Sequence, residues 1–161
     1  LTAFLIWLEA SALGEAIRAS GVWAYALINL THILGVATLF GAVLVLDLRL
    51  LGAWGRVPLG VIATPTVPVA AAGLVVAISS GVCLLAANGS EYEGNPFLPA
   101  KFAAIAAGIA NVAALRRLGA WRAREVDEPT GRDRAKLRLA GGLSLASWVA
   151  AITCGRMIGY W

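Results

Sequence analysis

The chain has 161 residues, of which 60% are hydrophobic and 14% charged, with a mean hydropathy of +0.80 and a net charge of +4. A soluble domain carries roughly 25% charged residues, so this balance excludes a disordered chain, a collagen or disulfide scaffold and an ordinary cytosolic enzyme. The apolar surface is too large for water, and the composition is that of an integral membrane protein.

In chain order, residues 1–20 come first. Phe4, Trp7, Leu8, Leu13, Ala16 and Ile17 recur at helical spacing, interrupted by Glu9, Ser11, Glu15 and Arg18. This predicts a short amphipathic helix lying in the membrane interface, with a lid packed on the bundle as the alternative. The stretch lacks a basic n-region and is not expected to act as a signal peptide. Four apolar runs follow, at about 22–46, 61–87, 99–118 and 139–160. Crossing a hydrocarbon core of about 30 Å takes about 20 helical residues. Continuous runs rather than short alternating ones favour helices, which satisfy their own backbone hydrogen bonds in lipid. The expected fold is all-α: a four-transmembrane-helix bundle with an N-terminal interfacial helix, in one membrane domain covering 1–161.

Orientation follows from the basic residues. Ten of the thirteen flank or occupy the first and third connections: Arg49, Arg56, Arg116, Arg117, Arg122, Arg124, Arg132, Arg134, Lys136 and Arg138. The positive-inside bias places those connections in the cytoplasm and both termini in the periplasm of a bacterial inner membrane. Trp23, with Trp7 and Trp161, falls at the outer boundary, where it is expected to touch lipid or a partner. The basic excess is thereby read as a topology signal, with lipids rather than nucleic acid as the partner. The loop at 118–137 mixes its arginines with Glu125, Asp127 and Glu128, and suits either anionic headgroups or a partner subunit.

Polar groups inside the spans are the candidates for chemistry. His32 is the only histidine and lies roughly 15 Å into the first span. Tyr25, Asn29, His32 and Val36 share one helical face, expected to point inward. A buried imidazole can ligate haem or copper, bond a quinone oxygen, or simply bond a neighbouring helix. One histidine cannot make a bis-histidine haem, so haem b would need Met157 or a ligand from another chain. Cys83, Cys154 and Met157 fall at a similar depth to His32, a donor set suited to copper(I), and a Cys83–Cys154 disulfide is a further option. Lys101, at the start of the third helix, opposes the helix dipole and needs a carboxylate or an anionic ligand; Glu91 and Glu93 are the nearest acids. Arg156 can snorkel, or meet an anionic lipid or quinone. Asp47 and Arg49 close the first span, Arg49 as a lipid or partner contact. Gly73, Ala77 and Gly81, and then Ala103, Ala107 and Asn111, form small-residue stripes suited to close helix packing. No phosphate loop, dinucleotide fingerprint, zinc motif or nucleophile elbow occurs.

Four strings together resemble an uncharacterised bacterial family of four-helix membrane proteins: His32-Ile33-Leu34-Gly35, Asp47-Leu48-Arg49-Leu50-Leu51-Gly52, Asn95-Pro96-Phe97 with Lys101, and Gly155-Arg156-Met157-Ile158-Gly159-Tyr160. That family looks similar to copper-resistance and cytochrome b-like bundles. The resemblance also implies a second histidine at the cytoplasmic end of the third span, where this chain reads Ala114-Leu115-Arg116-Arg117. The functional expectation is a non-catalytic integral subunit of a larger membrane assembly for electron transfer, working with other membrane subunits. The alternatives are a haem or quinone carrier centred on His32, and a copper-handling protein.

Overall fold

A computed structural model describes residues 1–125 and 129–161. All regular secondary structure among the described residues is helical, without strands. Two short helices, α1 (Thr2–Glu9) and α2 (Ala12–Ala19), precede the long α3 (Gly21–Leu51) and α4 (Leu59–Asn88). A 3-10 turn at Gly89–Tyr92 leads to α5 (Phe97–Arg117), a single turn α6 (Gly119–Arg122) and α7 (Gly131–Ile158). The four long helices α3, α4, α5 and α7 are each long and apolar enough to cross a membrane. The fold is the expected four-span bundle.

α3 packs along α4 and α7, and α5 packs on α7, so α3 and α7 lie between α4 and α5, which make little direct contact. Without a hydrophobic drive in lipid, close backbone approach holds such helices together. The α3–α4 crossing shows it most clearly. A Cβ on Gly73 would stand 2.5 Å from the Leu39 nitrogen and 2.9 Å from the Gly35 oxygen, and one on Gly35 would stand 2.8 Å from the Ala77 nitrogen. Between α5 and α7, Gly108 lies under the Trp148 ring and Asn111 donates to the Ala140 carbonyl at 2.9 Å.

The first and third connections meet at one end of the bundle, where the Gly60 position lies against the Arg124 and Glu125 backbone. Gly52, at φ 119°, ends α3 in the left-handed conformation. Arg49 is buried rather than turned to lipid: its Nε donates to the Val57 carbonyl at 2.8 Å and secures the first connection. The fourth span begins as a helix at Gly131, earlier than its apolar run. Its first turns carry arginines, Asp133 and Lys136, helical but too polar for hydrocarbon, so hydropathy alone hides them. Asp127 and Glu128, part of the loop expected to face headgroups or a partner, lie outside the described residues.

Both termini share the other end. The expected single N-terminal helix is broken in two, because Ser11 caps α2: its hydroxyl donates to the Leu8 carbonyl at 2.5 Å and accepts from the Gly14 nitrogen at 3.4 Å. The pair is a packed lid with an exposed aromatic face. Leu5, Leu8 and Ile17 are buried, whereas Phe4 and Trp7 are exposed. Arg18 ties the lid to α4 by donating to the carbonyls of Ala86 and Ala87, and Glu9 accepts from the Ser90 nitrogen. Asn95 clamps the far side, donating to the Ile158 carbonyl at the end of α7 and accepting from the Phe97 nitrogen at the start of α5.

Candidate functional site

In the half of the bundle nearest the termini, α3 turns His32 onto α4. Its Nδ1 lies 2.9 Å from the Ala77 carbonyl oxygen and 3.1 Å from the Ser80 Oγ. The carbonyl only accepts, so Nδ1 carries the proton in this geometry. The Ser80 hydroxyl donates to the Val76 carbonyl at 2.5 Å, which leaves its oxygen to share the imidazole proton. Nε2 is therefore left as an acceptor with a lone pair. Gly81 makes the room: a Cβ there would stand 3.2 Å from the ring Cε1.

Lys101 reaches the same region from α5. Its stem runs across α7 at Gly155, where a Cβ would stand 3.3 Å from Nζ. Gly155 and Cys154 of α7 therefore lie along the stem, in the same half of the bundle as His32. No described residue forms an ion pair or hydrogen bond with Lys101, and the expected Glu91 and Glu93 do not reach it. The result is an ammonium inside a span, without an ion-pair partner among the described residues, in the same half of the bundle as an imidazole whose free nitrogen accepts. Such a pair suits a ligand oxygen that takes hydrogen bonds from the ammonium, on a molecule whose hydroxyl can donate to Nε2.

The remaining expected site residues divide. Tyr25 is half-buried and faces Tyr92 of the 3-10 turn. Asn29 is exposed, because the buried line of α3 runs through Gly35, Leu39, Val43 and Asp47. Met157 lies two residues past Gly155, hence on another face of α7, and is exposed. Arg156 is exposed and is occupied by the Tyr160 hydroxyl and ring. Trp23 is 82% exposed, as a boundary residue would be. Cys83 and Cys154 are free thiols, so no disulfide joins them. They do not gather with His32 into a metal-holding group among the described residues. Sequence reasoning missed that Lys101 and His32 fall in the same half of the bundle, each against a glycine of a neighbouring helix. The signal available was the pair of glycines, Gly81 and Gly155, opposite two long polar side chains.

Residues 4–161, nearly the whole chain, match the model of a family of unknown function, DUF6644. The chain belongs to that family. No curated protein and no solved structure matches it. The strings that carried the sequence resemblance have separate structural duties in this DUF6644 chain. His32 bonds α4 while Gly35 admits it, and Arg49 with Gly52 fixes the first connection. Asn95 joins α5 to α7, and Gly155 admits Lys101.

Proposed function

We propose that this DUF6644 chain is a non-catalytic membrane subunit that holds the oxygen-bearing headgroup of a membrane-dissolved redox molecule, of the quinone class, between His32 and Lys101. The observation that supports it is the Lys101 ammonium within the span, without an ion-pair or hydrogen-bond partner among the described residues, in the same half of the bundle as an imidazole already oriented by Ala77 and Ser80. A cation in hydrocarbon costs several kcal/mol unless it is paired or reaches water. A quinone oxygen, or the anionic oxygen of a partly reduced quinone, accepts from Lys101, and a quinol hydroxyl donates to His32 Nε2. The weak contact between α4 and α5 suits approach from the bilayer. Haem b fits less well, since Met157 is turned away and the second axial ligand would have to come from a partner subunit. Copper has the least support.

The larger assembly is an electron-transfer complex of the bacterial inner membrane, with the arginine-rich end in the cytoplasm and both termini periplasmic. Ala103, Ala107, Ala110 and Ala114 form an exposed stripe on α5, away from the α7 contact, and this supports a neighbouring subunit's helix there. The test is chemical. Wild type, Lys101→Met and His32→Ala are purified in one mild detergent, extracted with organic solvent and assayed for quinone per chain. Near-stoichiometric quinone in wild type and at least a tenfold loss in Lys101→Met are expected; equal, negligible amounts in all three would reject the proposal.

A further inference from the structure

At the arginine-rich end, a second polar group is buried inside the bundle. Asp47 lies on α3 one turn before the helix ends and is 3% exposed. Its backbone packs on Gly141 of α7, and the side chain of Ser144, itself buried, stands against its carboxyl. The carboxyl oxygen Oδ2 is fully buried and has no hydrogen-bond partner. One turn along α7, Trp148 Nε1 is also buried and unbonded.

The cations nearby are directed elsewhere. Arg49 faces the Val57 carbonyl, and the Arg138 guanidinium lies over Gly52 beyond the end of α3. Asn111, the polar residue of α5 in this region, gives its amide to the Ala140 carbonyl. Ser144 is the one described polar group that acts on the carboxyl. A carboxylate packed in an apolar interior is far more costly than a neutral carboxylic acid unless a cation accompanies it. A sodium ion would need several oxygen ligands, and Ser144 supplies one.

We propose that Asp47 is a hydron-binding site within the bundle: Oδ2 carries a hydron while the Ser144 hydroxyl donates to the other carboxyl oxygen. The hydron comes from hydronium or a buffer acid at the arginine-rich end, one helical turn away, forming an O–H bond on Oδ2 and leaving water or the buffer base. The reverse transfer returns it. This site is separate from His32 and Lys101 and does not depend on what they bind.

The chain has three aspartates, Asp47, Asp127 and Asp133. Infrared spectra of the full chain in lipid nanodiscs, with aspartate labelled in its side-chain carboxyl carbon, therefore resolve the question. We expect one carbonyl band of an un-ionised carboxylic acid that shifts on labelling and again in D2O. The band is lost in Asp47→Asn and kept when Asp127 and Asp133 are both changed to Asn. That second variant carries the assignment if Asp47→Asn fails to fold. Labelled bands from carboxylates alone, or an acid band that survives in Asp47→Asn or disappears in the double variant, would overturn the proposal. A carboxylate band that responds to sodium chloride but not to potassium chloride would make this a sodium site instead.

Discussion

Replacing Gly73 with Ala tests the link between helix packing and the site. The new Cβ would stand 2.5 Å from the Leu39 nitrogen and 2.9 Å from both the Leu39 Cα and the Gly35 oxygen, whereas ordinary contact begins near 3.4 Å. All three atoms are backbone, so no side chain can swing away, and α4 must retreat from α3 by about 1 Å. Overpacking of this kind costs about 1–3 kcal/mol, offset by up to about 1 kcal/mol from removing a helix-interior glycine. Measured against a glycine-to-alanine change that gains the same offset without a clash, the loss is about 1–3 kcal/mol, roughly a 5–150-fold shift in the unfolding equilibrium. The same retreat lengthens the His32 bonds to Ala77 and Ser80, now 2.9 and 3.1 Å, towards the limit of hydrogen bonding. Gly41→Ala is the control, since a Cβ there meets nothing within 4 Å, and it should be neutral or stabilising. The assay is unfolding in mixed micelles, followed by circular dichroism. A Gly73→Ala chain as stable as Gly41→Ala would refute the reasoning.

Asn95→Ala removes both halves of the clamp between α5 and α7 and should cost about 1–2 kcal/mol in the same unfolding assay. Gly155→Val should expel the Lys101 stem from α7, which would appear as increased reactivity of the Lys101 amine towards a membrane-permeant acylating reagent. The lid should depend on pH. The Ser90 backbone N–H holds the Glu9 carboxyl below the usual glutamate value, with the Ser90 side chain and Arg18 acting in the same direction. A depressed folded-state value means that the stabilisation is present above the ordinary glutamate range and is lost as pH falls through the folded value. Hydrogen exchange at the Ser90 amide should therefore speed up, relative to its intrinsic rate, on acidification below that range. In Glu9→Gln this added acid sensitivity should be absent.

The four spans were legible because each keeps its apolar run long enough to cross lipid, and their helical nature follows from the solvent. Helix ends were less legible where helix and membrane part company. Gly131 to Arg138 is helix but too polar for hydrocarbon, and Ser11 breaks the N-terminal helix through a cap that periodicity does not reveal. His32 stood out as a lone histidine in a span, but the face it shares with Asn29 is not the buried one. A shared face says which residues lie together and not which neighbour they meet. Lys101 was legible as a cation needing a partner, yet the course of its stem depends on α5 crossing α7 at Gly155, a contact distant in sequence. Asp47 and Arg49 looked like boundary anchors. Close packing of α7 at Gly141 buries Asp47, and the turn of the first connection covers Arg49.

A single histidine makes the site directly observable. Nitrogen-15 NMR of histidine-labelled protein in nanodiscs reports one imidazole, and the account predicts the tautomer protonated on Nδ1. It further predicts that a short-chain quinol shifts the Nε2 resonance in wild type and leaves it unmoved in Lys101→Met. An imidazole protonated on Nε2 alone, or a wild-type resonance indifferent to quinol, would contradict it.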